Sequence, residues 1–247
     1  GQAAIQPFMR WETQRGCPYK CSFCQHREPG ARLKQRRLDD ARVFAEIDAM
    51  VEGGVKDIAV LDPIFNANPS ATRILRRFAE RGFAGRLSLQ SRFERLDEDF
   101  LDACEGLDVR LEFGLQTVID AEMAVIDRPN HLGKVDAAIA DLRRRGIHFE
   151  VSLIYGLPLQ TVDSFARSVQ WCQDRGVPSL VAFPLELLRG TSLDRDRARW
   201  NLVESEDPVA PIAVVVGSDS FSRQEWLQMK AIAESLDRGQ PRMGQAA

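Results

Sequence analysis

Apolar positions along the 247-residue chain recur in two rhythms. Short apolar runs at Asp57–Leu61, Leu87–Gln90, Val109–Leu115, His148–Tyr155 and Leu180–Leu185 read as strands, and a further one is expected at Arg10–Thr13. Between them lie stretches with apolar residues at steps of three and four, the spacing of one helical face. Leu38, Ala41, Phe44, Ile47 and Val51 form such a stripe, and Gly53-Gly54 ends it. Helices are predicted over 38–52, 70–81, 97–105, 134–145 and 163–175. Strands alternating with amphipathic helices predict a parallel sheet. Six strand–helix units fall short of the eight that close a barrel. The expected fold is therefore α/β, a partial (β/α)6 TIM-like barrel over residues 8–188. A short α/β C-terminal extension over 189–247 is expected to hold a strand at Ile212–Val216 and a helix over Ser222–Leu236.

Composition narrows the class without naming a function. Hydrophobic residues make up 44% of the chain and charged ones 28%, ordinary values for a globular protein. The net charge of −3 lacks the basic balance of a nucleic-acid binder, so no nucleic-acid partner is expected. The longest apolar run, Ala210–Val216, is far too short to span a bilayer, and no signal-peptide pattern opens the chain. Five cysteines, three of them clustered, argue against a disulfide framework and for a reducing, cytoplasmic compartment. The basic run Arg27, Arg32, Lys34, Arg36 and Arg37 reads as a solvated loop, or as a face toward an anionic substrate or partner.

The candidate chemistry begins in that cluster. Cys17, Cys21 and Cys24 stand in Arg-Gly-Cys-Pro-Tyr-Lys-Cys-Ser-Phe-Cys, three thiolates that one short loop can wrap around a metal centre. Electron-transfer [4Fe–4S] clusters are held by four cysteines. Cys104 and Cys172 lie far off on helix faces with apolar neighbours and read as core. A cluster on the local three would keep one iron open to a non-protein ligand. A zinc site stays open as an alternative, with His26 as a fourth ligand. So does a non-catalytic iron–sulfur carrier or sensor.

This cysteine spacing, with Phe23 before the last cysteine, resembles the radical S-adenosylmethionine (SAM) superfamily. In that family the open iron chelates SAM, and reductive cleavage gives a 5′-deoxyadenosyl radical that abstracts hydrogen from the substrate. Ser152-Leu-Ile-Tyr-Gly-Leu-Pro-Leu-Gln-Thr161 is similar to a segment of the oxygen-independent coproporphyrinogen oxidase branch that packs on the SAM adenine. The resemblance places Ser152, Leu153, Tyr155, Gly156 and Leu157 there. Arg110-Leu-Glu-Phe-Gly-Leu-Gln-Thr117 resembles the branch's fourth strand, with Gln116 reaching the active site, and Asp127-Arg-Pro129 puts Arg128 on the SAM carboxylate. On the third strand the branch's Glu is replaced by Gln90, with Arg92 two positions on and facing the same side. Ser152 stands where Asp more often binds the ribose.

The family's Gly-Gly-Glu after the second strand is replaced by Leu61-Asp62-Pro63-Ile-Phe65-Asn66, which resembles an Asp-containing turn of the cobalamin-associated class. The carbonyls of this turn around Asp62 would receive the SAM ammonium. Glu12–Cys21 also looks like that class, and the resemblance covers residues 8–195. It implies a radical SAM enzyme using a [4Fe–4S] cluster and SAM on a small-molecule or peptide substrate, with a flavodoxin- or ferredoxin-type electron donor. No Asp-x-His-x-x-Gly signature is present, so cobalamin is expected only if an upstream domain supplies it, in which case the chain would be the catalytic portion of a methyltransferase. For Glu186 and Arg189, substrate contact and a surface position both stay open.

Overall fold

The computed structural model describes residues 6–26, 35–205 and 212–238. Its main sheet carries six strands in chain order: β1 (Phe8–Trp11), β2 (Asp57–Val60), β3 (Arg86–Ser91), β4 (Asp108–Gln116), β5 (His148–Tyr155) and β6 (Ser179–Pro184). Each crossover thus returns the chain beside the strand it has just left, as short right-handed connections favour. The helices are α1 (Asp40–Glu52), α2 (Ala71–Glu80), α3 (Glu98–Cys104), α4 (Asp120–Val125), α5 (Leu132–Arg145) and α6 (Val162–Asp174). This is the partial (β/α)6 TIM-like fold expected from the sequence.

The chain divides into two compact units. The first contains, among the described residues, 6–18, 35–113 and 133–149. Its strands alternate between two environments. Leu87, Leu89, Val109, Leu111 and Phe113 are buried, while Ser88, Gln90, Arg110 and Glu112 on the opposite face are half-buried or exposed. Strands of a closed parallel sheet are apolar on both faces, so the polar face here has no apolar layer packed on it. On the apolar side, Val43, Ile47 and Met50 of α1 and Ile74, Leu75 and Phe78 of α2 are buried. Phe93 stacks on Phe113 at 3.9 Å, and Phe78 meets Trp11 edge-on at 5.9 Å. Each such ring stabilises the unit by about 1.5–3 kcal/mol through burial. Arg77 and Asp48 add a bidentate pair between α2 and α1, at 2.9 and 2.6 Å.

The second unit contains 19–26, 114–132, 150–205 and 212–238. β5 and β6 pair in parallel, Glu150 opposite Ser179 through Tyr155 opposite Pro184. α6 opens with a reciprocal cap in which Thr161 and Ser164 each satisfy the other's backbone N–H. Beyond β6 come α7 (Ser192–Arg195), an antiparallel pair of Val203–Glu204 with Val215–Gly217, and α8 (Arg223–Arg238). The expected strand at Ile212–Val216 is thus shorter and displaced. No helix is long and apolar enough to cross a membrane among the described residues.

β1 ends two residues earlier than expected. The N–H groups of Thr13 and Gln14 are bound by the Asp62 carboxylate, at 2.7 and 3.1 Å, instead of by a strand. α1 begins at Asp40 rather than Leu38 because Asp39 caps it, accepting from Ala41 and Arg42 N–H. α4 was hidden in a stretch without a full apolar stripe. Of the basic run, Arg27, Arg32 and Lys34 lie outside the described residues, and Arg36 and Arg37 form an exposed two-residue ladder with Gln14 and Arg15.

Candidate active site

In parallel α/β folds chemistry gathers at the carboxyl ends of strands, and the candidate residues lie there. In the first unit the cysteine loop leaves β1 through the Gln14–Arg15/Arg36–Arg37 ladder. Asp62, just past β2, ties this exit down. It is fully buried and accepts from the Thr13 hydroxyl as well as from both N–H groups. Burial pushes its carboxyl above the usual carboxylate range, while these donors oppose the shift. Gln14 Nε2 adds a bond to the Ile64 carbonyl at 2.7 Å. The Asp62 carboxylate is therefore committed to the loop's base, and only the backbone of its turn is left to meet a ligand, the role the sequence pattern gave it.

Gln90 and Arg92, expected on one side of the strand from their two-residue spacing, differ in burial. Gln90 is exposed and donates to Glu112 at 2.9 Å. Arg92 is only 4% exposed and pairs with Glu94 at 3.2 Å. β3 stops at Ser91. Beyond it Arg92 stays extended, and Asn66 accepts its N–H and donates to its carbonyl, at 3.0 and 2.8 Å.

In the second unit the loop's later half rests on the turn after α4. Ser22 N–H donates to the Ile126 carbonyl at 2.9 Å and its hydroxyl to Val125, while Lys20 pairs with Asp127 at 3.4 Å. From the other side, Leu193 N–H binds the Ser22 carbonyl at 2.9 Å and Gln25 donates to the Arg189 carbonyl. These contacts bury Cys21 to 8% exposure and leave Phe23 and Cys24 half-buried. Arg128 Nη1 lies 3.4 Å from Cys21 Sγ, and Nη2 donates to the Gly114 carbonyl. The Cys24 thiol is pushed up by burial and by Cys21, against the His26 N–H and the Arg128 charge. Arg189, open to a substrate role on sequence, pairs instead with Asp194 and Glu204 at 3.1 and 2.8 Å.

Gln116 closes β4 in the left-handed region, φ 71°, a strained conformation for a residue with a side chain. A Cβ on Gly114 would sit 2.4 Å from Gln116 Nε2 and 3.3 Å from Arg128 Nη2. Gly114 is thus the gap into which both side chains fold. Gly114→Ala is expected to displace these two flexible ends while costing at most about 1 kcal/mol of stability. Reconstituted Gly114→Ala protein should bind SAM about tenfold more weakly, a loss of about 1.4 kcal/mol by calorimetry. Unchanged affinity would remove Gln116 and Arg128 from the SAM site.

At the end of β5 the expected residues separate by face. Leu153, Tyr155 and Leu157 are buried, and Tyr155 packs on Phe165 and Trp226 at 5.8 and 5.7 Å. Their side chains thus support the turn from behind. Burial pushes the Tyr155 hydroxyl up to about 12. Ser152 lies on the other face, with Glu150 and Ile154. Gly156 has φ 89°, and a Cβ there would meet the Val215 carbonyl at 3.2 Å, so only glycine fits.

Two residues the sequence reading passed over hold this turn. Gln160 Oε1 accepts from Gly156 and Leu157 N–H at 2.7 and 3.2 Å, and its amide donates to Ile154 O and Glu122. Glu122, 1% exposed, accepts from the Thr117 and Ser164 hydroxyls, each at 2.5 Å. Gln160 stood inside the quoted motif and was legible as an amide at a turn. Nothing local marks Glu122, an acidic residue in a short helix.

Among the described residues no group of three His, Cys, Asp or Glu is already drawn together as a metal cage. Without a metal to neutralise them, clustered thiolates repel, and metal binding itself supplies the energy of closing a loop. The donor set nonetheless fits an iron–sulfur centre. It comprises three thiols on one loop, an arginine at one sulfur, and a buried Arg128 Nε with no partner among the described residues. Cys104 and Cys172 are 1% and 0% exposed with thiols pushed up to about 12 by burial, which makes them core groups.

Three thiols on one loop at a strand end of a partial barrel are the donor set and the place of a metal-using α/β enzyme. The chain belongs to the radical SAM superfamily, whose profile matches residues 11–172, and the family's cofactors are a [4Fe–4S] cluster and SAM. It is 24% identical over 260 residues to 2-(S-pantetheinyl)-carbapenam-3-carboxylate methyltransferase of Streptantibioticus cattleyicolor, covering 95% of this chain and 38% of that protein. It is 26% identical over 177 residues to the cobalamin-dependent radical SAM methyltransferase TokK of Streptomyces tokunonensis, covering 68% and 26%. In fold it resembles the radical SAM methyltransferase TsrM of Kitasatospora setae, solved with tryptophan and a SAM analogue, at a TM-score of 0.76 and 17% identity over 93% of this chain and 52% of that one. The chain therefore spans well under half the length of those two curated relatives.

Proposed function

We propose that this chain is the catalytic core of a radical SAM enzyme in which Cys17, Cys21 and Cys24 bind the cluster and a small-molecule or peptide substrate is the hydrogen donor. The observation that carries the reading is the anchoring of the cysteine loop at a strand's carboxyl end, with Arg128 against Cys21. When bound, the reduced cluster supplies the electron that cleaves SAM to the 5′-deoxyadenosyl radical. The protein's own part is binding and orientation. Arg128 and Gln116 offer donors to the SAM carboxylate, Ser152 offers a hydroxyl to the ribose, and the Gly156–Leu157 turn, held by Gln160, is the segment the resemblance sets beside adenine. Gln90 and the Asp62 turn contribute at the ends of their strands. The electron is expected from a flavodoxin- or ferredoxin-type donor in the cytoplasm.

The test is anaerobic reconstitution, dithionite and SAM, with chromatography for 5′-deoxyadenosine. Slow release without substrate is expected, together with a SAM-dependent change in the electron paramagnetic resonance of the reduced cluster. A spectrum indifferent to SAM would favour an electron carrier or sensor. A second reading, methyl transfer through cobalamin, is favoured by the likeness to the carbapenam enzyme along 95% of the chain. Lacking Asp-x-His-x-x-Gly, these 247 residues should not retain hydroxocobalamin on gel filtration. Stoichiometric retention, with label passing from the SAM methyl group to product, would establish the second reading for this chain itself.

A further inference from the structure

Arg128 is placed for more than ligand binding. Its backbone is pinned to α4, N–H to the Met123 carbonyl at 3.0 Å, and the preceding residue, Asp127, takes a left-handed φ of 49°. The guanidinium makes no ion pair with a carboxylate among the described residues. It spends Nη2 on a carbonyl and Nη1 on the Cys21 sulfur, and leaves Nε buried and unpartnered. A guanidinium carries five N–H donors in a rigid fork and cannot shed its proton. Held among a carbonyl and a sulfur, its positive charge has that sulfur as its complement among the described residues before any SAM is bound. The Ser22–Ile126 bond fixes the spacing, because it ties the residue after Cys21 to the turn that carries Arg128.

Resting on the reading that Cys21 is a cluster ligand, we infer that Arg128 sets the cluster's reduction potential through its hydrogen bond to the Cys21 sulfur. One-electron reduction adds negative charge that is shared onto the ligand sulfurs, so an N–H donor and a fixed cation at one of them favour the reduced form. Hydrogen bonds to the sulfurs and outer-shell partners are recognised controls of such potentials. Arg128 thereby acts as a positioning and tuning residue for the electron that dithionite or the physiological donor delivers.

The experiment is a dithionite titration of the full chain, reconstituted and free of SAM, followed by electron paramagnetic resonance, with iron and sulfide measured on each sample. Arg128→Gln, which keeps a donor and removes the charge, should make reduction about tenfold less favourable, a midpoint about 59 mV lower for a one-electron couple. Arg128→Lys, which keeps the charge and loses the fork, should fall between that variant and the wild type. A role confined to the SAM carboxylate would leave both SAM-free midpoints at the wild-type value and overturn the inference. Loss of the cluster from both variants would make Arg128 a structural support, which also overturns it. A wild-type chain that takes up no iron would defeat the cluster reading beneath it, an outcome separate from the other two.

Discussion

Replacing Cys17, Cys21 or Cys24 by alanine is expected to abolish the iron–sulfur chromophore and all 5′-deoxyadenosine formation, each singly and completely. Three thiolates already leave one iron without a protein ligand, so the loss of one of the three leaves two, with nothing nearby to replace it. Cys104→Ala and Cys172→Ala should keep full iron and activity. They should lose only the stability of a small core truncation, of order 0.5–3 kcal/mol, since both side chains are almost fully buried among apolar neighbours. Iron and sulfide analysis of the five variants decides the matter. Equal loss of iron from a Cys104 or Cys172 variant would sink the assignment.

The second large effect is expected at Glu122, far from any cysteine in sequence. Glu122→Ala strips the acceptor from the Thr117 and Ser164 hydroxyls and from the Gln160 amide. At about 1 kcal/mol for each stranded donor the loss is about 3 kcal/mol. In a chain of this length that lowers the melting temperature by roughly 6–12 °C. SAM affinity should fall with it, because Gln160 loses the partner that orients it toward Gly156 and Leu157. Glu122→Gln retains one acceptor oxygen and should lose distinctly less. Thermal melts of both variants within about a degree of the wild type would show that the network is slack.

What could be read without a structure followed periodicity. His148–Tyr155 was fixed to the residue because its alternation is unbroken, and the core status of Cys104 and Cys172 followed from helical spacing. Legibility failed where side chains compete for backbone groups. Asp62 takes the Thr13 and Gln14 N–H groups where β1 was expected to run to Thr13, and Asn66 takes both backbone groups of Arg92 where β3 ends. Those are long-range bonds, and no local pattern encodes them. Glu122 belongs to the same class, a buried acid two of whose three partners, Gln160 and Ser164, lie 38 and 42 positions further on. The cysteine motif stands out for the opposite reason, since the chemistry proposed for it requires its ligands to be neighbours.

The tie between Gln25 and the Arg189 carbonyl spans 164 positions, with Leu193 closing on Ser22 beside it. On a ribosome adding about 5–20 residues per second, those late partners emerge roughly eight to thirty seconds after the loop they hold. During that interval the nascent thiols are made but not yet fastened. On the proposal that these thiols hold the cluster, biogenesis of the holoprotein would have a vulnerable window, in which oxygen and cluster loading compete for the same three sulfurs. Yields of active protein should depend on how soon a growing culture is deprived of air.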